Sequence, residues 1–369
     1  MKVGIITFHA SHNYGSMLQA YALQQTVMKL GHECEIINFR TERQKRFYRP
    51  FYLFEGWRPK LKALVFPKLA FDDWRKYRLF ERFLKEKLIL SEKEYSTSEE
   101  LANAGFDYDA YISGSDQIWN TSCYDFDWAY FLNFVKKGRK IAYAVSMGPK
   151  PEWEVSEKFD KDILKNIYNY DEISVREHYT NKRLEKAGIK DICRINLDPT
   201  LLIGRTEWNS LISDEPLIKG DYIYIYTPWI SEDYEDIYNE AMILAEKEDM
   251  KVIVSKSYGL RKWNNNKYFE FYTAVGPLEF LNIIKYAKIV IAESFHAVVF
   301  SLMFNKSFIV MNGDSDSRVS NILSLSGLND KCKRIKGMLS FSSDDTIDFI
   351  NRIKSEVNNS IDFLKYALS

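Results

Sequence analysis

Val3-Gly4-Ile5-Ile6-Thr7-Phe8 opens the chain as a short apolar run, closed by polar His9–Asn13 and by Gly15. Runs of this kind suit a parallel strand buried on both faces. From Ser16 onward Met17, Ala20, Tyr21, Val27 and Met28 fall on one helical face, and Gly31 stands where a C-cap belongs. Glu33–Phe39 then reads as a second strand. Strand, helix and strand within 40 residues make a right-handed crossover, so the spacing predicts an α/β domain.

The same pattern continues outward. Strands are predicted over Asp109–Ser113, Lys140–Ser146, Glu172–Val175 and Arg194–Leu197, with helices over Ser156–Tyr168 and His178–Ala187 between them. A second set begins near Asp221. It has strands at Tyr222–Tyr226, Lys251–Ser255, Lys288–Ala292 and Ser307–Met311, and helices from Ser231 to about Glu248, over Pro277–Ala287, Phe295–Phe304 and Ser317–Leu325. Ile347, Ile350, Ile353, Val357, Ile361, Leu364 and Leu368 recur every three or four residues, which predicts one long final helix. The expected architecture is α/β: two Rossmann-like domains, 1–203 and 204–344, facing across a cleft, with 345–369 packing back on the first. Ligands of such sheets sit beyond the C-terminal strand ends.

Composition narrows the function. The 369 residues carry 51 Lys+Arg against 51 Asp+Glu, which argues against a dedicated nucleic-acid binder. Cys34, Cys123, Cys193 and Cys332 lie far apart without a CxxC, so neither a thiolate zinc module nor a disulfide framework is expected. Buried free thiols in a reducing compartment are the plain reading. No run approaches a membrane span and the first apolar run is too short for a signal peptide, so a soluble cytoplasmic protein is expected.

Candidate chemistry clusters where predicted strands end. In the first loop Asn13 and Gly15 serve a turn or an anion at the helix start, and His9 and His12 read as exposed groups for a phosphate or sugar. Gly114-Ser115-Asp116-Gln117-Ile118-Trp119-Asn120 offers Asp116 to a sugar hydroxyl and Trp119 to a sugar ring; a helix cap with a core Trp is the alternative. Arg176 follows Ser174-Val175, where its fork suits a carboxylate or phosphate, or an ion pair with Glu177. His296, in Glu293-Ser294-Phe295-His296, suits proton transfer at a helix start, or is simply half-buried. Arg318 follows Asp314-Ser315-Asp316-Ser317. Three DxD strings (Asp107/Asp109, Asp125/Asp127, Asp314/Asp316) could hold a metal but are common by chance in a chain this rich in Asp.

Taken in order, these pieces resemble the polysaccharide pyruvyl transferase family. The likeness is carried by Val3–Phe8 with Asn13-Tyr14-Gly15 and Leu18–Gln24, by Gly114–Asn120, Ser174–Glu177 and Asp198-Pro199-Thr200-Leu201-Leu202, and by Ser294–Ala297 and Asp316-Ser317-Arg318. It implies a glycosyltransferase B-like fold. It implies transfer of pyruvate from phosphoenolpyruvate to two hydroxyls of one sugar, giving a cyclic ketal in exopolysaccharide or capsule synthesis. No metal or other cofactor is implied. His296 and Asp116 would be catalytic. Arg176, Arg318, Ser294 and Lys306 would hold the donor; Asn13, His12, Trp119 and Gln117 would hold the sugar. Some relatives have Arg-Leu-His where this chain has Ser294-Phe295-His296, so a donor cation must come from elsewhere. A nucleotide-sugar glycosyltransferase, with Glu279 or Glu293 on the ribose, and a non-catalytic glycan- or membrane-binding relative are the other readings on this fold.

Thr41–Lys87 interrupts the first domain, within an insertion spanning 41–100. It carries 14 Lys/Arg against six Asp/Glu, a net +8, with 12 interleaved aromatics. Such a segment either covers the first domain or lies against an anionic membrane. The second expectation places the protein peripherally on the inner membrane face, with a sugar acceptor on a polyprenyl diphosphate.

Overall fold

The computed structural model describes residues 1–150, 161–189, 193–228, 235–255, 266–311, 313, 315–328, 333–335 and 338–369. The first sheet holds β1 (Lys2–Ile6), β2 (Glu33–Ile36), β3 (Ala110–Asp116), β4 (Arg139–Val145), β5 (Glu172–Val175) and β6 (Cys193–Ile195). Their order is β2-β1-β3-β4-β5-β6, and all pairs are parallel. Val3, Gly4, Ile5 and Ile6 are all buried because helices cover both faces, which is why the strand reads as a continuous apolar run. The Tyr14–Lys29 helix returns the chain from β1 to β2. Asn13 caps it, its Oδ1 accepting from the N–H groups of Gly15 and Ser16. Gln19 ties that helix to the sheet end: its amide donates to Thr7 Oγ1 at 2.8 Å and accepts from Ser115 N at 3.1 Å.

The second sheet holds β7 (Tyr222–Tyr226), β8 (Lys251–Val254), β9 (Phe269–Phe271), β10 (Ile289–Ala292), β11 (Ser307–Val310), β12 (Lys333–Ile335) and β13 (Met338–Phe341). Its order is β12-β13-β11-β10-β7-β8-β9; β13 and β12 add an antiparallel edge to an otherwise parallel sheet. The short β9 and the β12–β13 hairpin were not expected from the sequence. The start of the helix expected at Ser156, and Ser231 as a cap, lie outside the described residues; the helices run over Lys161–Ile167 and Glu235–Glu248 where described.

The tail corrects the expectation of one long helix. It is three pieces: Ser343–Thr346, Phe349–Arg352 and Lys354–Ala367. The bends let Phe349 and Ile353 enter the core while Ile347 stays 61% exposed, so the apolar spacing does not lie on one straight face. The last piece rests on the first sheet: Ser360 Oγ accepts from Leu197 N at 3.0 Å, and Phe363 packs 6.1 Å from the Tyr143 ring.

One apolar core runs through both halves. Tyr14 is sandwiched between Phe80 of the inserted segment (5.3 Å) and Phe280 of the second half (4.5 Å), and its hydroxyl donates to Val275 O. Tyr21 meets Trp208, which in turn meets Phe300. Each such aromatic pair adds about 0.5–1.5 kcal/mol beyond simple burial.

Candidate active site

In the first sheet the connections reverse direction between β1 and β3, and in the second between β7 and β10. Crevices open at such reversals, beyond the C-terminal strand ends. Here the two crevices face each other. Ser11–Ser16 and Asp116–Gln117 come from one side; Tyr226–Pro228 and Glu293–His296 come from the other. Together with Tyr48 and Lys76 of the inserted segment they enclose a cavity of about 830 Å³. The halves touch at its floor. A Cβ on Gly15 would lie 1.9 Å from His296 Nδ1, so only glycine fits beneath that imidazole.

The floor is a buried charge cluster. Arg176, just beyond β5, donates from Nη1 to Asp198 Oδ2 at 2.6 Å. Its Nη2 lies 3.6 Å from Asp116 Oδ1 and its Nε 3.6 Å from Glu177 Oε2. His296 Nε2 is 3.5 Å from the same Asp198 Oδ2. Burial alone would raise the Asp198 carboxyl, but His296 and Arg176 override it and hold it far below the usual carboxylate range. Thr200 adds two bonds to Oδ1, from its N–H and its hydroxyl. Glu177 is pushed upward by burial, against the pull of Arg176.

Asp116 ends β3 at φ 75°, a left-handed conformation that a side chain adopts only where its surroundings hold it. Ser16 Oγ donates to its Oδ2 at 2.5 Å. Arg318 is gripped by its neighbour: Nε donates to Asp316 Oδ1 at 2.9 Å and Nη2 to Oδ2 at 2.5 Å. Burial would lower its pKa, yet Asp316 raises it further, so the guanidinium stays charged. Arg176 and Arg318 both lie over the Phe295 ring, at 4.9 and 5.9 Å. Three segments distant in sequence thus converge on one floor.

The structure sorts the sequence candidates. His296, Asp116, Arg318, Ser294, Asn13, His12 and Gln117 line the cavity. Ser294 precedes the Phe295–Met303 helix and makes no side-chain cap bond. Asn13 is occupied by capping, and Gln117 accepts from Asn120 Nδ2. Arg176, expected to hold the donor, is part of the floor but does not line the cavity: it is 3% exposed and turned to Asp198.

Several expectations are corrected. Trp119 is 1% exposed and stacked on Phe131 at 5.1 Å, so it is a core residue and cannot stack on a sugar. Lys306 follows the C-terminal end of the Phe295–Met303 helix and precedes β11, a helix length from the cavity that the N-terminus of that helix lines. His9 is wholly buried, bonded to Thr7 O and Asn38, and burial drives its pKa down to about 4. His12 lies between Tyr48 and Phe80 with Nε2 3.1 Å from Glu81, because the inserted segment folds over it. The free thiols expected from the cysteine spacing are found at Cys34 and Cys123, and burial pushes both up to about 12. Among the described residues no group of three His, Cys, Asp or Glu is arranged to hold a metal ion.

Sequence reasoning assigned no role to Asp198 or Lys76. Asp198 reads as a turn residue before Pro199, and nothing local marks its burial. Lys76 is one of 14 basic residues in its segment. It nevertheless lines the cavity, 5.9 Å from the Tyr14 ring, and makes no ion pair or hydrogen bond among the described residues. Burial lowers its pKa, partly offset by Asp73. Arg176 and Arg318 already face carboxylates, so Lys76 is the cavity cation with charge to spare.

The polysaccharide pyruvyl transferase family model matches residues 13–315, and the chain belongs to that family. A search of curated proteins finds no match. Among solved structures the chain is similar to a Neisseria meningitidis UDP-GlcNAc 2-epimerase bound to UDP-GlcNAc (10% identity, TM-score 0.52, covering 98% of this chain and 94% of that one). It is likewise similar to Staphylococcus aureus MnaA with UDP (10% identity, TM-score 0.51, covering 98% and 90%). At that identity the likeness shows the fold alone, which is glycosyltransferase B-like.

Proposed function

We propose that this chain transfers the pyruvyl group of phosphoenolpyruvate to two hydroxyls of one sugar in a polysaccharide precursor, forming a cyclic ketal and releasing inorganic phosphate. The observation that carries the reading is the His296–Asp198–Arg176 cluster at the floor where the two crevices meet, in a chain of this family.

Each residue has a task that its setting supports. Asp198 holds the His296 imidazole in place, its Oδ2 3.5 Å from Nε2, as an oriented proton donor needs. His296 delivers a proton to the methylene carbon of the enol, leaving an oxocarbenium-like carbon beside it. A sugar hydroxyl attacks that carbon and gives its proton to Asp116. The phosphate oxygen–carbon bond then breaks, the second hydroxyl attacks, and its proton leaves with the phosphate. The proton left on Asp116 returns to His296 through solvent in the cavity and restores both groups, so over the cycle one hydroxyl proton replaces the one now in the methyl group, the other leaves on phosphate, and the steps balance. The Phe295–Met303 helix start and the Ser294 hydroxyl suit the phosphate, and Lys76 supplies the cation that the Arg of some relatives would give.

A nucleotide-sugar reading has one observation in its favour: Glu293 lines the cavity just beyond β10, where a ribose-binding carboxylate would serve. The deciding experiment incubates the protein with phosphoenolpyruvate and lipid-linked or nucleotide-linked sugar acceptors. Phosphate release is read together with product mass. A pyruvyl ketal formed by the native chain and lost in His296→Gln is the expected result. Sugar transfer from a nucleotide donor, with no phosphate from phosphoenolpyruvate, would overturn the proposal.

A further inference from the structure

The inserted segment contains apolar surface that none of the described residues covers. Among the described residues 19 large hydrophobics are exposed, and ten of them fall between Phe47 and Trp74. The Trp57–Val65 helix buries no residue at all. Trp57, Leu61, Leu64 and Val65 are 68%, 47%, 79% and 60% exposed, and their spacing of four, three and one puts them on one face. A nine-residue helix is too short to persist on propensity alone, so a face of this kind calls for a partner. The next helix, Pro67–Lys87, divides its labour. Phe80, Phe83 and Leu84 are buried against the domain, while Phe71 and Trp74 pack on each other at 5.7 Å and face outward.

The surroundings say what the partner is. Arg58, Lys60, Lys68, Arg75 and Arg78 are exposed around these apolar residues. Of the three acids between residues 47 and 78 only Glu55 is exposed: Asp73 accepts from Phe51 N, and Asp72 accepts from Thr273 Oγ1, so the exposed basic groups outnumber the one exposed acid. A second copy of the chain would set one basic face against another. An anionic bilayer satisfies both features at once, with the rings and Leu side chains at the headgroup boundary and the basic groups on lipid phosphates. No helix among the described residues is long and apolar enough to cross a membrane, so the contact would lie along the surface.

We infer that residues 47–78 dock the protein on an anionic lipid bilayer through the exposed Trp57–Val65 face and the outer side of the following helix. The inference is independent of the chemistry in the cavity. The same segment lines the cavity through Tyr48 and Lys76, so docking brings the cavity toward lipid headgroups.

The test is co-sedimentation of the full chain with vesicles of phosphatidylcholine alone and of phosphatidylcholine with phosphatidylglycerol. Two variants accompany it: Leu61→Ser with Leu64→Ser, and Lys60→Gln with Lys68→Gln and Arg75→Gln. All five side chains are exposed, so the fold is expected to survive, and circular dichroism checks this. Strong partition onto anionic vesicles, release at high salt, and a loss of tenfold or more in each variant are expected, since the apolar face and the basic groups both contribute to such binding. Equal recovery in the supernatant with both vesicle types would overturn the inference. So would a concentration-dependent dimer abolished by Leu61→Ser with Leu64→Ser, or retention on nucleic acid, in the absence of vesicle binding.

Discussion

Gly15→Ala tests how closely the two halves approach. The added Cβ would lie 1.9 Å from His296 Nδ1, 2.3 Å from Cγ and 2.6 Å from Cε1. Ordinary contact begins at 3.4 Å, so the imidazole must retreat by at least 1.5 Å. That ring is 6% exposed and shares Asp198 with Arg176, so a retreat toward the cavity takes it away from that carboxylate. Overpacking of this kind costs about 1–3 kcal/mol. Working against it, Gly15 lies inside the first turn of a helix, where alanine is worth about 0.5–1 kcal/mol more than glycine. The net expectation in the native background is a loss of up to about 2.5 kcal/mol. In a His296→Ala background the obstacle is gone, and Gly15→Ala should instead stabilise by about 0.5–1 kcal/mol. Urea midpoints of the four proteins give the coupling directly, provided the slopes agree. A reversal of sign between backgrounds is expected. The same change in both, with coupling under about 0.5 kcal/mol, would refute the close approach. Activity should also fall by about 100-fold in Gly15→Ala, since a 1 Å misplacement of a reacting group costs that much.

Lys76→Met should raise the KM for phosphoenolpyruvate about 10- to 100-fold with a smaller effect on kcat, while Lys76→Arg restores much of the affinity; initial rates at low and high donor concentration check this. Asp198→Asn should destabilise the fold by about 3–5 kcal/mol, because Arg176 is left buried beside a neutral amide, and urea unfolding at neutral pH measures it. His9 has a folded pKa of about 4 against roughly 6.5 when unfolded. As pH falls through this window the unfolded chain takes up the proton first, so stability drops by up to about 3 kcal/mol between pH 6.5 and 4; His9→Gln should flatten that slope. Trp119→Ala should cost about 3–5 kcal/mol of stability and leave the KM for the sugar acceptor unchanged, which a core role requires and a stacking role forbids.

The crossover units and the loops at their strand ends were legible because Val3–Ile6, Tyr222–Tyr226 and Ile289–Ala292 are buried strands, and such burial writes apolar runs into the chain. Asp116 and His296 were legible for a related reason: polar residues close behind such runs sit at sheet ends, whereas Arg318, eight residues past β11, was legible only through the Asp316-Ser317-Arg318 pattern. Burial brought about by distant segments was not legible. His12 is enclosed only because Tyr48 and Phe80 fold over it. Trp119 follows Asp116 and Gln117 in a polar loop, yet its ring turns inward onto Phe131. Lys306 was a candidate only as a replacement for the Arg that some relatives carry before the His, and the length of the Phe295–Met303 helix carries it away from the cavity. β12 is three residues long and two of them are Lys333 and Arg334, and β13 is only four residues, so neither makes an apolar run long enough to read as a strand.

The core that passes through Tyr14 makes the two sheets one unit of inheritance. Cutting the chain between β6 and β7 would strip Phe280 from Tyr14 and Trp208 or its neighbours from Tyr21, and would separate Ser360 from Leu197, so each fragment would expose surface that only the other can cover. Neither half is a portable module, and the molecule should melt in a single transition. Change over generations is then confined to segments that add to this body without dividing it. The segment between Thr41 and Lys87 is one of these: it can be rewritten to suit a new surface while the floor beneath it stays as it is.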